Sequence, residues 1–352
     1  MKRIILIVII LLVIPARAYA FEIPQIEGYS IFEDTANQII SGDFAPGPVG
    51  IFGNIINSLT AEMKSFSSTA AAMLVMALLS STVGTLNNAV GEKSSAQAAF
   101  FTFFAAISGL ALVCFSKAIG YATEVVFNMT SFMTKLTPVI ILMLFTCCRS
   151  ASAAAFEPVL SASVFVAAEV IEKCLVPLVT FSAVLSVAGN VGDKNSISGF
   201  VRIVKSITKW IMALVITVFT GINTVYGFTA PALDAVGAKA MKFAVGSLVP
   251  VVGGFLSDTL DTVASSATVM KNTVGVSGIV VICTICVAPV IKIGIMQLML
   301  KLISAVVEPI TDKRICSMLW DMSDAVTAVF GIVVLTAVLF LINICIILRV
   351  TG

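Results

Sequence analysis

The chain contains no histidine, and that absence removes several chemistries at once. A Ser-His-Asp triad, an HExxH zinc site and an imidazole proton relay all need a ring nitrogen that titrates near neutrality. No GxxxxGK[ST] stretch occurs, so the loop that cradles nucleotide phosphates is missing. No cofactor motif takes its place. Charge is scarce as well: 11% of residues are charged, where a soluble domain carries about a quarter. With 59% of residues in the set AVILMFWYC and a mean hydropathy of +1.09, lipid is the main solvent. The small positive balance of +2 is owed to the first residues. Without Lys2, Arg3 and Arg17, 18 basic residues face 19 acidic ones, so nothing favours nucleic acid or another polyanion.

Eight cysteines are present, mostly inside apolar runs. Cys283 and Cys286 have redox-motif spacing, but no helix N-terminus or cation stands beside them to stabilise a thiolate. They read as packing residues. Asp258 and Asp261, one helical turn apart in a polar stretch, are poor material for an aspartyl dyad. The chain is therefore expected not to be an enzyme.

What is there begins with residues 1–20, MKRIILIVIILLVIPARAYA. Lys2 and Arg3 give a basic start, and Ile4 to Pro15 form an apolar core too short to span a bilayer. Ala18-Tyr19-Ala20 then supplies the small-x-small pattern of a signal-peptidase site. Cleavage after Ala20 would leave Phe21 outside the cytoplasm; the competing reading is an uncleaved anchor. Residues 21–64 form an extracytoplasmic acidic segment, with six carboxylates against Lys64 alone. Towards its end Phe52, Ile55, Ile56, Leu59 and Met63 fall on one side of an amphipathic helix lying on the outer leaflet.

The rest reads as an all-α, polytopic integral membrane helical bundle. A span needs about 20 apolar residues. Eight candidates follow, near 66–90, 94–116, 128–148, 150–171, 174–192, 210–233, 273–291 and 326–348. They form a first transmembrane group, 65–192, and a second, 210–352. Between them, Lys194, Arg202, Lys205 and Lys209 mark 193–209 as a cytoplasmic basic amphipathic helix. Arg202, Lys205 and Lys209 follow i, i+3, i+7 spacing, which suits either positive-inside anchoring or a docking surface for a cytoplasmic partner. Lys292, Lys301, Lys313 and Arg314 belong on the same side. The C-terminus then lies outside, with Arg349 a mild objection.

The most unusual stretch runs from Pro250 to Asp261. Pro250, Gly253 and Gly254 interrupt a continuous helix, and irregular backbone at membrane depth survives only in protein or beside an aqueous cavity. A re-entrant element over 243–263 would set Asp258 and Asp261 along a solute or ion path, with Lys271 as counter-ion. An ordinary outer loop with a solvated helix is the other reading. Glu169 and Lys173 stand i, i+4 and neutralise each other; Lys135, Glu157 and Lys292 have no sequence-local partner. Ala105 and Gly109 offer a small-residue packing spot in the second candidate span.

The stretches Pro250–Val263 and Glu308-Pro-Ile-Thr-Asp-Lys-Arg-Ile315, with Lys271-Asn-Thr-Val-Gly-Val-Ser-Gly278 between them, resemble those of the stage III sporulation protein AE family. The resemblance extends over nearly the whole chain. It implies a place in the mother-cell membrane around the forespore during engulfment. It also implies a secretion-like channel complex whose other subunits include a cytoplasmic ATPase and ring-forming envelope proteins. On that reading the chain is a non-enzymatic, multi-pass component of the channel between mother cell and forespore. The alternative is a stand-alone secondary transporter that moves a small solute past the 250–261 element.

Overall fold

The computed structural model describes residues 60, 64, 66–83, 93–146, 150–191, 198–248 and 253–350; within these, the side chains of 93–96, 140–157, 160, 198, 226–272, 274 and 347–350 lie outside the description. The signal sequence with Ala18 and Ala20, the leaflet helix before residue 60 and Pro250 therefore fall outside the described residues, as do the side chains of Glu157, Asp258, Asp261 and Lys271.

Every described element is helical. We label them α1 (Phe66–Val83), α2 (Lys93–Thr146), α3 (Ser150–Val170), α4 (Val176–Val191), α5 (Ser198–Leu248), α6 (Gly253–Val307) and α7 (Lys313–Val350). A π-helical turn, Ile171–Leu175, joins α3 to α4. Among the described residues, six helical units are long and apolar enough to cross a membrane: Phe66–Val83, Gln97–Val139, Ser161–Val191, Gly199–Val225, Gly275–Val307 and Lys313–Ile346. The expectation of eight spans is corrected by two fusions. Residues 94–116 and 128–148 share the single helix α2, whose polar middle, with Lys117 and Glu124 exposed, contains no proline and runs through Gly120 unbroken. Residues 150–171 and 174–192 join through the π turn. There the Val176 N–H reaches back five residues to the Ile171 carbonyl. That widening admits Pro177, which has no N–H and would otherwise crowd the carbonyl four residues earlier. Fusing two pairs leaves the alternation of the chain unchanged.

The helices are long for a bilayer. At about 1.5 Å per residue, the 54 residues of α2 extend roughly 80 Å against a hydrocarbon core of about 30 Å. Within lipid, polar side chains need partners inside the protein, and the carbonyls of their own helix are the nearest. Thr102, Thr123, Thr130, Thr134 and Thr137 of α2 all donate to the carbonyl four residues back.

The centre of the bundle is α7, which packs against α2, α4, α5 and α6. Half of its membrane window is buried, more than in any other span. Ile315, Met318, Met322, Val326, Val329 and Ile332 are fully buried at three- and four-residue spacing. Opposite them α2 offers Ala111, Ala118 and Ala122, all fully buried. Hydrophobic burial gains little against lipid, so close backbone approach through such small residues carries the packing. The tightest pair is antiparallel: Ser304 Oγ donates to the Cys316 carbonyl at 3.3 Å, Ser323 Oγ to the Gln297 carbonyl at 3.4 Å, and Gly278 abuts Ile344.

Candidate functional site

The described polar chemistry concentrates where α4 ends and α5 and α7 begin. Asp321 and Asp324, three residues apart, share one side of α7. Lys205 comes from α5, where its neighbours Val201, Val204 and Thr208 are buried and turn that face inward. Its Nζ donates to Asp321 Oδ1 at 2.7 Å and to Asp324 Oδ2 at 3.4 Å. The second oxygen of Asp321 accepts from Asn190 Nδ2 of α4 at 3.1 Å. Asn190 also donates to the Ser186 carbonyl at 2.7 Å. Both carboxylate oxygens of Asp321 are thus occupied, whereas Asp324, 57% exposed, holds one long contact. A cavity of about 320 Å³ opens here, lined by α4, α5 and α7.

This arrangement divides the three basic residues expected to act together. Lys205 turns into the bundle and is neutralised there. Arg202 and Lys209 remain exposed on α5, beside Phe200, Ile203, Ile207 and Trp210, which are also exposed. The sequence pattern gave no reason to single out Asn190, Asp321 or Asp324. Only the pairing of distant helices reveals them, although two carboxylates one turn apart on an apolar helix are a signal that a cation lies nearby.

The same end of the bundle carries the Glu308–Ile315 stretch. It forms the turn between α6 and α7, and Thr311, Arg314 and Asp312 each tie a different element. Thr311 Oγ1 donates to the Ala77 carbonyl of α1 at 3.2 Å. The Arg314 guanidinium lies 3.8 Å from the centre of the Phe100 ring of α2. Asp312 caps α7: its Oδ1 accepts the Arg314 N–H at 2.9 Å and its carbonyl accepts from Ile315 and Cys316. Burial pulls the Asp312 carboxyl upward, but the hydrogen bonds and charge of Arg314 outweigh it and hold the group below its ordinary range.

Other expected residues find places elsewhere. Lys292 sits over the Tyr121 ring at 5.0 Å, so α2 supplies the partner its own sequence neighbourhood lacks. Glu169 and Lys173 pair at 2.6 Å, exposed at the α3–π junction. Lys135 is half-buried on α2. Ala105 and Gly109 are exposed, with open space beside Gly109. Cys283 is exposed and Cys286 buried, both as free thiols. Gly253 and Gly254 open α6, which continues unbroken through residues 258, 261 and 271 to Val307. A second cavity, about 350 Å³, lies between α2 and α3 and is lined by Thr130, Thr134, Thr137, Pro138, Ser161, Val164 and Phe165. Elsewhere in the bundle Asn223, Ser277 and Asn343 are fully buried, each with a polar atom that has no partner among the described residues. The α6–α7 register sets Ser277 and Asn343 at one height.

No solved structure matches the chain. A curated relative, the stage III sporulation protein AE of Bacillus subtilis (strain 168), is 26% identical over 311 residues, covering 88% of this chain and 78% of the relative. The family model described as stage III sporulation protein AE matches residues 30–351, nearly the full length that carries the bundle, and on that match the chain belongs to the stage III sporulation protein AE family.

Proposed function

We propose that this multi-pass sporulation protein is the membrane-embedded scaffold of a channel complex between mother cell and forespore, non-enzymatic in itself. The observation that carries the reading is the division of labour on α5. Lys205 locks α5 to α7, while Lys209, with Phe200, Ile203, Ile207 and Trp210, is exposed at one end of the bundle, as is Arg202, which also lines the cavity beside Lys205. A stiff interior with cations and apolar side chains displayed at its end suits a platform on which a cytoplasmic energising subunit docks. The positive-inside rule supports putting that end in the mother-cell cytoplasm, with the N-terminus and the ring-forming envelope proteins on the other side. The acidic stretch 21–64 and the outer reach of α5 and α6 would meet those rings.

The test is recovery of partners with tagged protein from sporulating cells. The double variant Arg202→Glu, Lys209→Glu should remain in the membrane at normal abundance yet lose the cytoplasmic ATPase, while the envelope partners still co-purify. Solute flux through vesicles holding this chain alone would overturn the scaffold reading and favour a self-sufficient transporter.

A further inference from the structure

The four charges lining the α4–α5–α7 cavity, Arg202, Lys205, Asp321 and Asp324, sum to zero but are unequally paired. Lys205 and Asp321 satisfy one another, and Asn190 takes the remaining oxygen of Asp321. Two charged groups with spare capacity remain on different walls. Arg202 of α5 lines the cavity, and among the described residues Asp324 of α7 contacts Lys205 alone, at 3.4 Å. A singly charged ligand would match one wall and leave the other unanswered. Leu185 and Val201 add an apolar patch to the same cavity. Ser186, Asn190 and Ser317 add polar side chains to the same lining. The volume, about 320 Å³, suits a molecule of a few heavy atoms.

We infer that this cavity binds a small zwitterion of the α-amino acid class, its carboxylate held by Arg202, its ammonium by Asp324 and its side chain against Leu185 and Val201. A guanidinium fork matches a carboxylate in two parallel hydrogen bonds, and an ammonium completes the acceptor capacity that Asp324 leaves open. The Lys205–Asp321 pair fixes the spacing between the two walls. The site stands whether or not the chain scaffolds a channel.

The test uses the full chain, purified in detergent, with its thermal unfolding followed against L-alanine, propionate and ethylamine at up to about 10 mM, where binding weaker than millimolar is still seen. L-Alanine should raise the melting temperature saturably, and each half-ligand should do so at least about tenfold less effectively, one decade being about 1.4 kcal/mol. Arg202→Gln and Asp324→Asn should each abolish the preference for L-alanine. Both side chains are exposed, so both variants should unfold like the parent without ligand. Equal responses to all three probes, an L-alanine response that survives both substitutions, or no saturable response would each overturn the assignment.

Discussion

Lys205 is worth more to this protein as a tie than as a surface charge. Its ammonium and the Asp321 carboxylate are 24% and 30% exposed, between an open ion pair worth under about 1 kcal/mol and a sealed one costing 3–5 kcal/mol to break from one side. Lys205→Met should therefore destabilise the bundle by about 2 kcal/mol, because Asp321 keeps its charge and loses its cation. Exchanging the pair, Lys205→Asp with Asp321→Lys, should recover part of that loss, as a double-mutant cycle of thermal unfolding would show. Asp312 makes a second residue-level prediction. Its carboxyl titrates below its ordinary value of 3.8 in the folded chain, so the folded state prefers the carboxylate. That stability is fully present above the unfolded value and is lost as pH falls through the folded one. Asp312→Asn should thus lower the melting temperature at neutral pH, and the gap should close as the medium is acidified below pH 3.8. A gap that widens in acid would refute the capping role. The motif that carried the family resemblance, Glu308–Ile315, was plain in the sequence. Its reason was not, because Ala77 and Phe100 lie more than 200 residues away.

Among the elements, the pair α6–α7 sets the register of the bundle, and Gly278 is its narrowest point. A Cβ there would stand 2.8 Å from Ile344 Cδ1, so Gly278→Val should cost about 1–3 kcal/mol through overpacking. Gly331 meets only the flexible end of Met212 at 2.9 Å, and Gly331→Ala should be nearly silent in the same unfolding assay. Apolar runs located each of the six spanning units, since a stretch of about 20 such residues is hard to place outside lipid. Counting the units was harder. The stretch between the expected spans 94–116 and 128–148 holds Lys117 and Glu124, yet charged residues continue a helix well, and both are exposed on α2. Glu169 and Pro177 interrupt the apolar runs on either side of residue 172, and the π turn carries the helix past them. Hydropathy reports the solvent of a segment, whereas helix continuity depends on backbone hydrogen bonds that hydropathy does not measure. The candidate site was legible by half. Cationic spacing drew attention to 202–209, but which of its three bases points inward is decided by the carboxylates of α7.

For the whole molecule, the ends of α4 and α6 and the starts of α5 and α7 gather at one end of the bundle, as the Asn190–Asp321–Lys205 contacts and the Glu308–Asp312 turn require. Single cysteines placed at position 195 and at Glu308 in a cysteine-free background should react with the same impermeant thiol reagent from the same side of sealed vesicles. Labelling from opposite sides would break the alternation of the six units. The central position of α7 also bears on how the protein is made. Ribosomes deliver α7 after every helix it holds together, so the first six enter the bilayer with no common partner to settle on. Until residues past 313 have emerged, Lys205 lacks Asp321 and Asp324, and α6 lacks the antiparallel neighbour it packs on most. A nascent chain stalled before that point can pair α2 with α3 and α6, and α5 with α3 and α4, but lacks the central helix that joins those pairs.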